Sequence, residues 1–121
     1  KPSYGLSDED VIRMLQEGNR AAEEDMHERE LREQKVEALR IIESTNSALA
    51  ADADLLSQEE RKVVDDALSH LNMVREGTDT EAIKQAIDAV AKSTEEFAAR
   101  RMDRSIRLAL EGKSVDDVLG Q

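Results

Sequence analysis

Residues 20–51 read RAAEEDMHERELREQKVEALRIIESTNSALAA, with neither proline nor glycine to interrupt them. Ala, Glu, Arg and Leu dominate the stretch, so it reads as one helix of ~32 residues, ~48 Å long. Its two halves differ in kind. Between Glu23 and Gln34 only Met26 and Leu31 are sizeable apolar residues, set among Glu23, Glu24, Asp25, Glu28, Arg29, Glu30, Arg32 and Glu33. From Lys35 onward Val36, Ala38, Leu39, Ile41, Ile42, Ala48 and Leu49 supply a broad apolar face. A helix that is polar nearly all round over three turns buries little, so the first half is expected to project from a core or to cover another body.

Upstream, residues 1–7 carry Pro2 and Gly5 and no helical period, and read as an extended lead-in. Ser7-Asp8-Glu9-Asp10 is a capping-box start with acids at the positive helix end. A short first helix follows, with Val11, Ile12, Met14 and Leu15. Gly18 and Asn19 then weaken the helix by about 1 kcal/mol relative to Ala, which predicts a bend or boundary there inside a unit spanning 8–52.

Downstream, residues 53–56 read as a loop opening the remaining unit, 53–121. Ser57-Gln58-Glu59-Glu60 is a second capping box, opening a helix over about 57–76. Val63, Val64, Ala67, Leu68, Leu71 and Val74 share one face of it. Gly77 is expected to close it in the left-handed conformation. Thr78-Asp79-Thr80-Glu81 caps the next helix, over about 79–111, with the stripe Ile83, Ala86, Ile87, Val90, Thr94, Phe97 and Arg101. The pattern continues through Met102, Ile106, Ala109 and Leu110 to Gly112, and Ser114 could cap a last short turn through Val115, Val118 and Leu119. Short connections make neighbours antiparallel. The expected fold is all-α: an antiparallel three-helix bundle over about 35–110, with a long projecting helix, a short N-terminal helix and a short C-terminal turn.

Composition narrows the function. With 37% charged and 2% aromatic residues and a single Pro, sandwiches, barrels and wound sheets are excluded. The net charge of −11 repels a phosphate backbone and an anionic lipid surface, so neither nucleic acid nor membrane is an expected partner. Zero Cys removes disulfides, thiolate metal sites and thiol nucleophiles.

Few residues invite chemistry. Glu24 and His27 have the Glu-x-x-His spacing of di-iron bundles, but His70 lacks a matching Glu and His27 lies in the polar half-helix. A solvated histidine beside acids is the better reading. His70 and Asp66 read as a helix-surface pair, with no nucleophile to serve. The five glycines never cluster into a phosphate-binding loop. No catalytic, cofactor-binding or metal residue is therefore assigned. Arg100, Arg104 and Arg107 share a helix face and form a candidate basic docking patch for an acidic partner. The competing reading is that cations at C-terminal turns offset an acidic bundle. The acids Glu23, Glu30, Glu33 and Glu37 read as a solvated face.

Several runs resemble a known family. Lys1-Pro2-Ser3-Tyr4-Gly5-Leu6-Ser7-Asp8, Glu33-Gln34-Lys35-Val36-Glu37-Ala38 and Leu49-Ala50-Ala51-Asp52-Ala53 are similar to the C-terminal part of DnaK-type heat-shock chaperones. Phe97-Ala98-Ala99-Arg100-Arg101-Met102-Asp103 and Gly112-Lys113-Ser114-Val115-Asp116 resemble the HscA branch, devoted to iron–sulphur cluster assembly. The resemblance implies the helical lid of a peptide-binding domain, with a β-sandwich and an ATPase domain preceding Lys1. ATP and Mg²⁺ would belong to that ATPase domain and none to this chain. The implied partners are the chain's own β-sandwich, an iron–sulphur scaffold client bound through a Leu-Pro-Pro-Val-Lys segment, and a J-type co-chaperone, in the bacterial cytoplasm. On this reading Val11, Met14, Leu15 and Met26 would face the sandwich. The pair Gly18 and Asn19 and the stretch Lys35, Val36 and Glu37 would be hinges. The family's acidic lid latch falls on Leu39 and its neighbouring His on Glu43, so the usual latch pair is absent and no latch residue is assigned. Removed from the sandwich, the chain is expected to cover its bare apolar side chains by folding back or by dimerising. The rival function is a stand-alone acidic helical adaptor or dimerisation module.

Overall fold

The computed structural model describes residues 5–119, and the side chains of residues 5–112. Residues 1–4 of the expected lead-in and the side chains of Val115, Val118 and Leu119 lie outside that description. The chain is all-α, with four helices: α1 (Asp8–Ala51), α2 (Gln58–Val74), α3 (Thr80–Ser93) and α4 (Glu95–Leu119). A 3₁₀ turn at Ala53–Leu55 joins α1 to α2.

Three helix starts follow from side-chain caps. Ser7 accepts from the Asp10 N–H while Asp10 accepts from the Ser7 N–H, and Ser57 and Glu60 repeat the arrangement at α2. Asp79 caps α3 by accepting from the Ala82 N–H. Each cap satisfies amides that have no partner inside the helix.

The core forms where α2, α3 and the second half of α1 meet. Ala38 and Leu49 of α1, Val64, Leu68 and Leu71 of α2, and Ile83, Ala86 and Val90 of α3 are buried, and Phe97 enters from the first turn of α4. This is the antiparallel bundle expected from the capped stripes, with Phe97 in the core as its phase requires.

Five local expectations are corrected. The short first helix and the long second helix are one: α1 runs 44 residues through Gly18 and Asn19, and through Lys35, Val36 and Glu37, without a break. A penalty of ~1 kcal/mol per glycine lowers helicity but does not stop a helix lacking a proline. The bundle also begins earlier than Lys35, because Leu31 packs against the core and Glu30 pairs with Lys84. Leu31 stands two turns before Ala38 and therefore on the same face.

The helix expected over 79–111 is divided at Thr94, where φ is −109° and ψ is 3°. The Thr94 N–H donates to Val90 O at 3.1 Å and the Ala98 N–H donates to Thr94 O at 2.8 Å, so Thr94 closes α3 with its amide and opens α4 with its carbonyl. Two hydroxyls, Ser93 Oγ at 2.8 Å and Thr94 Oγ1 at 2.9 Å, also donate to Val90 O. Such back-bonding bends helices, and an apolar stripe that stays in phase across the bend conceals it. Finally, Gly77 does not adopt positive φ, and α4 passes through Gly112 to Leu119, so the separate C-terminal turn is part of α4.

Candidate functional site

The first candidate surface is the free half of α1. From Gly5 to Arg29 every residue is exposed except Asp10, which the cap half-buries. Val11, Met14, Leu15 and Met26 keep 42, 58, 64 and 67% of their surface in water. At ~100° per residue these four fall on one side of α1, roughly opposite the side that carries Leu31, Ala38 and Leu49 into the bundle. The helix therefore offers its bundle and the outside world different faces. Of the two stretches named as hinges, Gly18 has open space around it, and Val36 is 69% exposed while Glu37 pairs with Arg40.

The second is a corner where α4 crosses the α1–α2 connection. Arg100 donates from Nη1 and Nη2 to the two carboxylate oxygens of Glu60, both at 2.9 Å, and from Nη1 to Leu55 O at 2.8 Å. Arg101 Nε donates to Asp52 at 2.8 Å, and Arg104 Nη1 reaches Asp52 and Asp54 at 2.9 Å each. Forked guanidinium–carboxylate pairs of this kind fix direction as well as distance. The Arg100 guanidinium and the Ser57 N–H hold the Glu60 carboxyl down at about 2. Arg101 and Arg104 hold Asp52 below its ordinary value, and Arg104 does the same for Asp54.

This corner corrects the docking patch. Arg100, Arg104 and Arg107 do share one side of α4 and line an open groove of about 380 Å³ with Leu55 and Leu108. Arg100 and Arg104, however, are committed to the chain's own carboxylates, so the patch is largely neutralised; Arg107 alone of the three is exposed. The pairs join residues 40 to 52 positions apart, which periodicity cannot reveal. The available signal was Asp52 and Asp54 at the end of α1, in a chain whose arginines cluster at 100–107.

His27 and His70 are both exposed. Among the described residues no group of three or more His, Asp or Glu side chains could hold a metal ion, and no helix is long and apolar enough to cross a membrane. Of the two candidate sites, one is apolar and uncovered among the described residues, and the other is charged and internally paired.

Residues 1–103 match the family model described as Hsp70 protein. The chain belongs to the Hsp70 family. It is 56% identical over 118 residues to the chaperone protein HscA of Escherichia coli (strain K12 / DH10B), covering 98% of this chain and 19% of that protein. The HscA proteins of Citrobacter koseri and Escherichia fergusonii are 57% and 56% identical over the same share. This Hsp70-family chain thus spans about a fifth of the length of the curated relatives it matches. The HscA branch singled out by residues 97–103 and 112–116 is the branch of these relatives, and the helical architecture fits the lid segment of an HscA-type chaperone.

Proposed function

We propose that these helices act as the lid of an ATP-regulated chaperone, closing over a client peptide held by a preceding β-sandwich. The observation that carries this reading is the free half of α1: some 22 residues of capped helix with an apolar side that no other described residue covers. An apolar face of this kind marks a surface built to meet another body. Val11, Met14, Leu15 and Met26 are the side chains that would rest on the sandwich. Because α1 is unbroken, the lid moves by flexing at Gly18 and Asn19 or at residues 35–37, without a loop hinge.

The chain itself contributes no chemistry on this reading. ATP and Mg²⁺ bind in a separate ATPase domain of the longer protein, a J-type co-chaperone acts there, and the client is an iron–sulphur scaffold protein of the bacterial cytoplasm. The family membership and the HscA relatives support the chaperone class.

The test uses the full-length chaperone with Met14→Glu and Leu15→Glu in the lid. Loss of two covered apolar side chains removes ~1.5–3 kcal/mol each of closure, so release of a labelled Leu-Pro-Pro-Val-Lys peptide in the ADP state should accelerate tenfold or more. Unchanged release would show that this face does not meet the peptide-binding domain.

A further inference from the structure

α4 is mounted with its charged side inward. Phe97, Arg100, Arg101 and Arg104 turn towards the bundle, and the opposite side of the helix carries Ala99, Met102, Ile106, Ala109 and Leu110, with Ala98 at the edge where α4 passes Ser44, Thr45 and Ala48 of α1. Met102, Ile106 and Leu110 are 65, 50 and 60% exposed. The arrangement reverses that of an ordinary surface helix, whose apolar side faces the core. The three arginine pairs fix the roll of α4, so the uncharged stripe, about 13 residues or ~20 Å long, is held facing away from the chain.

We propose that this stripe is an interface for a second copy of the chain, with the two α4 helices antiparallel about a two-fold axis level with Arg104. Pairing in that register sets Leu110 against Ala98, Met102 against Ile106, and Ala109 against Ala99, each twice. Large side chains then meet small ones at both ends, and two large ones meet in the middle. The charges agree. Asp103 and Arg107 lie along one edge of the stripe, and neither has an ion-pair partner among the described residues. The antiparallel register brings Arg107 to within ~3 Å, measured along the axis, of Asp103 in the second copy, giving two symmetric pairs. Two helices touching over three to four turns bury less than the ~1,200 Å² of a standard stable interface, so the association is weak and concentration-dependent. The inference does not rest on the lid reading, since α1 takes no part in it.

Light scattering of the whole 121-residue chain from micromolar to millimolar concentration tests it. The expected mass rises from 13.5 kDa towards twice that value. Ile106→Glu should weaken the association at least tenfold while leaving the helical circular-dichroism signal intact, and Leu15→Glu on α1 should leave it unchanged. Arg107→Asp should weaken it, and adding Asp103→Arg should restore it. Because the chain has no cysteine, an oxidised mixture of Met102→Cys and Ile106→Cys should give the mixed disulfide several-fold over either symmetric one. A monomer at every concentration overturns the proposal. So does an association abolished by Leu15→Glu but kept by Ile106→Glu, or a statistical mixture of disulfides.

Discussion

Leu15 and Leu49 stand on the same unbroken helix, yet Leu15 keeps 64% of its surface in water and Leu49 only 2%. The second half of α1 is held by the core formed with α2 and α3. The first half has a capping box, acidic residues in its first turn, strong helix formers and little else. Starting a helix is costly and extending one is cheap, so a half anchored by tertiary packing can carry a bare half as its continuation. Burial and helicity are thus separable within one element.

The comparison can be broken most forcefully at Phe97, which ties α4 to the same core. Phe97→Ala should cost about 3–5 kcal/mol in urea denaturation, enough to unfold much of a marginal bundle. A loss below 1 kcal/mol would detach α4 from the core.

Next comes the direct pair. Leu49→Ala should cost about 2–5 kcal/mol, whereas Leu15→Ala should stay within ~0.5 kcal/mol. Hydrogen exchange should follow the same division, fast over residues 8–29 and slow over 38–49. Equal costs, or even protection along α1 in a strictly monomeric sample, would mean that the free half packs on something within the chain.

The two capping boxes sharpen the comparison, because the same chemistry sits in both environments. Ser57→Ala should lower global stability by about 1 kcal/mol, as α2 belongs to the cooperative core. Ser7→Ala should leave the denaturation midpoint alone and show only as fraying of the first turns in amide exchange.

The smallest signal is expected from acid. The Glu60 carboxyl lies at about 2 in the folded chain against an ordinary 4.5, and Asp52 and Asp54 are also lowered. Their contribution is complete above the ordinary values and is lost as pH falls towards 2. The melting temperature should therefore drop between pH 5 and pH 2.5, with Glu60→Gln flattening part of that slope. The free half of α1, which holds none of these pairs, should show no matching change in exchange.

Much of this was legible in the residues. Caps are local, so Ser7, Ser57 and the run Thr78-Asp79-Thr80-Glu81 announced three helix starts, the last of them capped by Asp79, and the 3.6-residue stripe placed Val64, Leu68, Leu71, Ile83, Val90 and Phe97 in the core. The polar run over 23–34 marked the half that leaves the bundle only up to Arg29, because Glu30 and Leu31 already meet it. What stayed hidden has three physical causes. Glycine in a solvated helix is tolerated, so Gly18 and Gly112 carried no stop. The break at Thr94 keeps the phase of the apolar stripe, and only the adjacent hydroxyls of Ser93 and Thr94 hint at it. The arginine–carboxylate corner joins groups far apart in the chain, and the same arginines read either as a docking patch or as cations offsetting an acidic bundle until the turn at Ala53–Leu55 sets Asp52, Asp54 and Glu60 beside them.

The continuity of α1 has a mechanical consequence. Asp8 and Leu49 are 41 positions apart on one unbroken helix, ~62 Å measured along its axis. Moved as one piece, such a helix acts as a lever arm: tilting its first turn by ~10° sweeps the bundle end through ~11 Å, and flexing at Gly18 or at residues 35–37 shortens the arm. A small adjustment where the chain enters α1 is therefore multiplied into a displacement wider than a helix radius, and the bundle is the load carried at the far end of the rod.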